Sequence, residues 1–183
     1  MASDDFAGKV AIVTGGTRGI GRTVAAMLLD RGARIVIVGR NPDNLTAALS
    51  DLSGRGAADP VGCLGDVAVA GTAQAAVDRA VDQFGRLDVV ANIAGWFPTA
   101  LVEDTSDAQY AETIAANLTG TFMLCRAALP QLRQHPGAAI VNMSSTAARF
   151  GTPGLAAYGA SKAAVEGLTR ALAIEAAPAV RVN

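Results

Sequence analysis

The 183-residue chain has few charged and few aromatic side chains, 17% and 4% of its residues, and a net charge of −1. It therefore lacks the positive charge with which proteins bind nucleic acid or an anionic membrane surface. No apolar run reaches the roughly 20 residues that a bilayer-spanning helix needs. The N-terminus also lacks the basic and then apolar order of a signal peptide. These absences predict a cytoplasmic protein without nucleic-acid or membrane partners.

Metal and disulfide chemistry would have few side chains to use. Cys63 and Cys125 lie in separate apolar stretches, and we expect buried thiols in a reducing compartment. The only histidine, His135, lies in a His-Pro-Gly turn and does not cluster with either cysteine. We therefore predict no metal site and no catalytic role for this histidine.

Hydrophobic residues make up 51% of the chain, which suits a sheet that is buried on both faces. The pattern predicts strands at residues 9–13, 34–38, 61–65, 87–92 and 138–144 and from residue 180, with helices from residue 20 and at 44–52, 71–84, 107–134 and 157–176. Alternating strands and helices indicate an α/β fold with a doubly wound parallel sheet and helices on both faces. The length predicts a single domain over residues 1–183.

A glycine-rich turn, Thr14–Gly21, follows the first predicted strand and leads into the first helix. Gly15 would allow the tight turn, Gly19 would let the backbone approach a pyrophosphate, and Gly21 would let the helix pack close to the sheet. The helix N-terminus offers unpaired N–H groups to phosphates. The spacing is Gly-x-x-x-Gly-x-Gly rather than Gly-x-Gly-x-x-Gly. A turn that merely needs glycines is the structural alternative.

Two arginines could recognise the 2′-phosphate of a bound dinucleotide. Arg40 follows the second strand, where an acidic residue would bind a ribose 2′-hydroxyl and an arginine would accept a 2′-phosphate. Arg18, inside the glycine-rich turn, could reach the same phosphate. Two cations and no acid favour NADP(H) over NAD(H). Solvated surface arginines are the alternative.

Tyr158 and Lys162 are four residues apart in a predicted helix, so they share one face. A phenol ordinarily loses its proton only near pH 10. A nearby ammonium favours the phenolate, which would make this tyrosine usable as an acid and base near neutral pH. An exposed pair without chemistry is the alternative.

Together these motifs resemble the short-chain dehydrogenase/reductase family of NAD(P)-dependent oxidoreductases, over residues 8–183. The resemblance implies a Rossmann-type sheet and hydride transfer between a ketone or aldehyde and an alcohol. It also implies an NADP(H) cofactor in the NADP-preferring branch, with NAD(H) as the second candidate. The matching residues are Thr14–Gly21, Asp66, Asn92–Gly95, Asn117, Ser144, Ser145, Tyr158, Lys162 and Arg181–Asn183.

By this resemblance Tyr158 would be the general acid in reduction and the base in oxidation. Ser145, which precedes Tyr158 by 13 residues, would hydrogen-bond the substrate oxygen, while Ser144 would be structural. Lys162 would favour the phenolate and hold the nicotinamide ribose. Asn117 would anchor a water that links Lys162 to solvent.

The resemblance also assigns contacts to the cofactor. In the glycine-rich turn the binding residues would be Gly15, Thr17, Arg18, Gly19, Ile20 and Gly21. Asp66 would contact the adenine amino group, or else cap the next turn, and Val67 would pack on the ring. Asn92, Ala94 and Gly95 would run along the cofactor, although Ile93 stands where the family usually has a second asparagine.

Two adjacent aromatic residues, Trp96 and Phe97, follow this stretch. They could line an apolar substrate pocket, or they could cover the sheet edge as ordinary core. Phe150 and Leu155, between Ser145 and Tyr158, are further pocket candidates.

Family members continue beyond the position of Asn183 with a mobile substrate loop and a seventh strand. We therefore expect the chain to be truncated at its C-terminus, rather than a short gene product. The missing substrate region leaves a second hypothesis open, a dinucleotide-binding scaffold or sensor without turnover. The full-length protein is expected to form a homodimer or homotetramer through the helices at 107–134 and 157–176.

Overall fold

The computed structural model describes residues 5–183, apart from the side chain of Ala70. Six parallel strands form one sheet in the order β3-β2-β1-β4-β5-β6. The strands are β1 Val10–Thr14, β2 Arg34–Gly39, β3 Val61–Leu64, β4 Val89–Asn92, β5 Ala138–Asn142 and β6 Val180–Val182. This arrangement confirms the predicted doubly wound α/β fold of the Rossmann type.

Helices follow the strands as predicted. They are α1 Gly19–Leu29, α2 Pro42–Leu52, α3 Ala70–Phe84, α4 Asp107–Ile114, α5 Gly120–Leu132 and α6 Ala156–Ala176. The single helix predicted at 107–134 is two helices joined by a π-helical turn, Ala115–Thr119. Such turns occur often at functional sites, and this one contains Asn117.

Alternating side chains of β1 enter different hydrophobic clusters, one on each face of the sheet. Val10 and Ile12 pack in the cluster that includes residues of α3, α5 and α6, whereas Ala11 and Val13 pack with residues of α1 and α2. All five residues of β1 are buried. The sheet is therefore covered on both faces, as its apolar composition predicted.

The chain reverses its direction of winding at β1, which pairs with β2 on one side and β4 on the other. In open parallel sheets, ligands bind beyond the carboxyl ends of the strands at this switch point. The glycine-rich turn follows β1, and the Asn92–Gly95 stretch begins at the end of β4. Among the described helices, none is long and apolar enough to span a bilayer.

Candidate active site

A crevice of about 560 Å³ opens at the carboxyl ends of β1 and β4. Gly15 and the turn at 17–21 line its first part, next to α1. Arg40, Asp66 and Val67 line a second part. Ala94, Gly95, Tyr158 and Lys162 line the third. The fold thus brings most of the predicted site residues together around one cavity.

The glycine-rich turn is as tight as its sequence requires. Gly15 has a φ of +65°, and a Cβ added there would lie 3.0 Å from the Cα of Ala94. A Cβ added to Gly21 would overlap the carbonyl oxygen of Gly15. Helix α1 starts without a side-chain cap or an acidic residue in its first turn. A negatively charged group is favoured at such a helix start, so this cradle fits a dinucleotide pyrophosphate.

Thr14, the first residue of the glycine-rich motif, had no predicted role of its own, and it joins the two strand ends beside the crevice. Its hydroxyl oxygen accepts hydrogen bonds from the backbone N–H groups of Ile93, at 2.9 Å, and Ala94, at 3.0 Å. The side chain is buried. The threonine therefore sets the path of the chain after β4, where Gly15 and Ala94 both line the crevice.

Asn92 lies behind the crevice and does not line it. Its amide donates to the side-chain oxygen of Asn142 at 2.8 Å and lies 3.4 Å from the sulfur of Cys125. These partners tie β4 to β5 and α5. Burial raises the pKa of the Cys125 thiol to about 12, so this cysteine is an inert core residue.

Tyr158 and Lys162 lie on the same face of α6, as the four-residue spacing predicts. The ammonium nitrogen of Lys162 is 5.8 Å from the centroid of the Tyr158 ring. It donates a hydrogen bond of 2.8 Å to the carbonyl of Met143. Lys162 is only 3% exposed, and burial lowers the pKa of its ammonium from 10.5 to about 8.

The serine pair lies in the loop between β5 and α6. Ser144 is within hydrogen-bonding distance of the Lys162 carbonyl, at 3.3 Å, and of a Glu166 carboxylate oxygen, at 3.1 Å, which suits the structural role expected for it. The Ser145 hydroxyl caps a short 3₁₀ turn, Thr146–Ala148, by accepting from the N–H of Ala147. Ser145 is half-buried and outside the cavity lining, and its catalytic role stays a prediction.

Asn117 is fully buried in the π-helical turn. Its amide nitrogen donates to the carbonyl of Trp96, at 2.8 Å, and to the hydroxyl of Ser161, at 2.9 Å. Its side-chain oxygen accepts from the N–H of Trp96 at 2.8 Å. The asparagine thus holds the Trp96 backbone against the crevice, a positioning contact that its spacing in the sequence could not reveal. Its expected role as a water anchor remains a prediction.

The structure favours the pocket hypothesis for the two adjacent aromatic residues. Trp96 and Phe97 both line the crevice, and Phe97 is 66% exposed. Its ring centroid lies 5.7 Å from that of Tyr158. The other two pocket candidates, Phe150 and Leu155, lie outside the cavity lining.

The part of the crevice at Arg40 carries more negative charge than the sequence indicated. The guanidinium of Arg40 lies 3.4 Å from a carboxylate oxygen of Glu112 and 3.6 Å from one of Asp66. Asp66 also accepts from the N–H of Ala68 at 2.9 Å, as expected for a residue that caps the following turn. The expectation of two cations without an acid is therefore wrong for Arg40, because neighbours that are distant in sequence meet there.

The model of the short chain dehydrogenase family matches residues 9–183. The chain belongs to the short-chain dehydrogenase family. It is 42% identical over 178 residues to the D-threitol dehydrogenase of Mycolicibacterium smegmatis, covering 96% of this chain and 68% of that protein. It is 38% identical over 180 residues to the L-fucose dehydrogenase of Mus musculus, covering 97% and 64%.

Solved structures of the same kind superimpose closely on this short-chain dehydrogenase. A dehydrogenase/reductase from Sinorhizobium meliloti 1021 gives a TM-score of 0.92 at 34% identity, covering all of this chain and 72% of that one. A glucose/ribitol dehydrogenase from Brucella melitensis gives 0.93 at 34% identity, covering all of this chain and 75% of that one. Dehydrogenase relatives and the shared fold identify this protein as an NAD(P)-dependent oxidoreductase.

Proposed function

We propose that this short-chain dehydrogenase interconverts a ketone or aldehyde and an alcohol, with NADP(H) as its preferred cofactor and Tyr158 as the general acid and base. The observation that supports this most is a buried cation, Lys162, placed beside a tyrosine at the wall of a cavity. Relatives named for the oxidation of D-threitol and L-fucose support the same class of reaction.

The cradle at Thr17–Gly21 would hold the pyrophosphate of the dinucleotide on the N–H groups that open α1. Val67 would pack against the adenine, and Arg18 and Arg40 would meet the 2′-phosphate. Lys162 would hold the ribose nearest the reaction. Close backbone contacts at Gly15 and Gly21 support this fit, since a Cβ at either position would clash with the backbone that forms the cradle.

When bound, the nicotinamide supplies or accepts the hydride. Tyr158 gives its proton to the carbonyl oxygen during reduction and takes it back during oxidation. The positive charge of Lys162 stabilises the phenolate that remains, and low exposure strengthens this interaction. Ser145 donates a hydrogen bond to the substrate oxygen. Asn117 holds the backbone of Trp96 in place at the wall of the crevice. General acid–base catalysis of this kind contributes about 10²–10⁴-fold.

The test measures NADPH consumption by the purified protein with a panel of ketones and aldehydes. Tyr158→Phe should abolish turnover while NADP(H) affinity stays unchanged, because the substitution removes only the hydroxyl. Ser145→Ala should lower kcat strongly, and Ser144→Ala serves as the neighbouring control. Full activity in Tyr158→Phe would refute the mechanism. Cofactor binding without turnover on any substrate would favour the scaffold hypothesis.

We expect the protein to act in the cytoplasm and to assemble as a homodimer or homotetramer through α4–α5 and α6. Tyr110 and Phe122, on α4 and α5, are exposed aromatic residues that such a contact would cover. Sedimentation velocity at several concentrations measures the assembly, and a monomer at all of them would contradict it.

A further inference from the structure

We infer that Glu112 is a specificity-determining residue that competes with a cofactor 2′-phosphate for the guanidinium of Arg40. This inference rests on the proposed NADP(H)-dependent function and deepens it. Glu112 lies on α4, and its carboxylate reaches the guanidinium of Arg40, which follows β2. No pattern in the sequence points to Glu112, because 72 residues separate it from Arg40.

The contact geometry places Arg40 between two carboxylates. Its guanidinium nitrogen is 3.4 Å from Glu112 and 3.6 Å from Asp66. The three side chains are 52%, 48% and 36% exposed, respectively. Arg40 lines the crevice, so a phosphate that approaches it from the cavity meets a cation whose charge is already shared.

The two carboxylates differ in how firmly they are held. Asp66 accepts a backbone hydrogen bond from Ala68, which keeps its carboxylate in the turn after β3. Among the described residues, Glu112 has Arg40 as its only ion-pair partner. A side chain held by one exposed contact can rotate away at low cost. Glu112 is therefore the group that an incoming phosphate would displace.

Charge explains why this displacement discriminates between cofactors. A phosphate monoester carries about −1.5 to −2 at pH 7, so it gains from Arg40 only when Glu112 withdraws, and it is repelled when Glu112 stays. A ribose 2′-hydroxyl is neutral and is affected little in either case. Among the described residues, Arg18 has no carboxylate within ion-pair distance. Arg18 is thus a second cation available to the phosphate, and Glu112 determines how much Arg40 contributes to the affinity for the 2′-phosphate.

The experiment compares 2′,5′-ADP with ADP, which lacks the 2′-phosphate, by isothermal titration calorimetry on the full chain. Glu112→Gln should tighten 2′,5′-ADP binding about 3- to 5-fold, the range expected for an exposed ion pair, and leave ADP binding unchanged. The gain should shrink as salt screens the charges. Glu103→Gln is the matched control, since Glu103 is exposed and makes no ion pair within the described chain.

A second pair of variants isolates the route through Arg40. In an Arg40→Gln background, Glu112→Gln should change 2′,5′-ADP affinity by less than half of its effect in the parent. The inference would be overturned if Glu112→Gln left 2′,5′-ADP affinity unchanged, or if it tightened the binding of both nucleotides equally. It would also be overturned if Glu112→Gln changed 2′,5′-ADP affinity as much in the Arg40→Gln background as in the parent. These measurements report nucleotide binding and do not require turnover. A protein that never oxidises NADPH but shows the selective tightening would refute the proposed function and leave the role of Glu112 intact.

Discussion

Replacing Lys162 with methionine should stabilise the protein at pH 7 while removing its activity. The side chain is 3% exposed, and among the described residues no carboxylate pairs with its ammonium; its hydrogen-bond partner is the Met143 carbonyl. Holding an unpaired cation in an apolar setting costs free energy. Methionine has a similar length and carries no charge, so it should fill the same space without that cost.

The magnitude follows from the depressed pKa. Burial lowers the pKa of Lys162 from 10.5 to about 8, and at about 1.4 kcal/mol per pH unit this corresponds to a cost of about 3 kcal/mol at pH 7. The variant leaves the Met143 carbonyl without its donor, which costs about 1 kcal/mol. The expected net gain is about 2 kcal/mol, or a Tm increase of about 4–8 °C for a chain of this size.

The gain should depend on pH in a defined direction. Between about pH 8 and 10.5 the unfolded chain binds a proton at Lys162 that the folded protein has lost, so the stability of the parent rises with pH there. The advantage of Lys162→Met should therefore be greatest below pH 8 and should shrink toward pH 10.5. Thermal unfolding of the cofactor-free protein across this range measures both effects.

The other lysine of the chain, Lys9, provides the control. It pairs with the buried carboxylate of Asp88 at 3.1 Å, so Lys9→Met should destabilise the protein at pH 7. A lower Tm for Lys162→Met at pH 7, or a difference from the parent that stays constant up to pH 10.5, would refute the reasoning. Equal effects of the two substitutions would refute it as well.

Three further substitutions test the architecture around the site. Gly95→Ala should lower the free energy of unfolding by about 1–3 kcal/mol and weaken NADP(H) binding, because the new Cβ would lie 2.8 Å from the Asn117 side-chain oxygen. Calorimetry measures the stability and the affinity, and unchanged NADP(H) affinity would contradict the prediction. Thr14→Val should lower stability to urea by about 2 kcal/mol, since two N–H groups lose their acceptor, and Thr14→Ser should restore most of it. Asp88→Asn should lower the free energy of unfolding by about 2–4 kcal/mol at pH 7 without changing kcat. Burial alone would raise the pKa of Asp88, but hydrogen bonds from Arg86, Val10 and Lys9 lower it overall, so this difference should begin to shrink below about pH 4 and disappear as the pH falls through that lowered pKa.

Sequence reasoning predicted the fold well because apolar patterning and glycine spacing act locally. The order of strands and helices follows from the period of the hydrophobic residues, and each predicted strand lies within a few residues of its position in the sheet. The break in the helix predicted at 107–134 was missed; the π-helical turn there contains Asn117, whose partners Trp96 and Ser161 are distant in sequence. Propensity alone carries no signal for it.

The candidate site was predictable where its parts are close in sequence or belong to a recognised motif. Tyr158 and Lys162 share a helix face, so their spacing was sufficient. The contacts of Thr14 and the whole of Glu112 were missed, because their partners lie 72 or more residues away. A hydroxyl that accepts two backbone hydrogen bonds, or a carboxylate that pairs with an arginine distant in sequence, becomes visible only when the fold brings these residues together.

The cations of this protein differ in whether carboxylates lie beside them, and this difference distinguishes those that stabilise the fold from those available for chemistry. Lys9 and Arg86 surround the buried carboxylate of Asp88, and this cluster stabilises the fold. Arg40 pairs with two carboxylates at the crevice, and it can exchange such a partner for a negatively charged group of a ligand. Lys162 bears its charge without a carboxylate among the described residues, at a cost in stability. A buried cation without a counter-ion favours negative charge that forms beside it, and this is the role proposed for Lys162 toward the hydroxyl of Tyr158 on the same helix face.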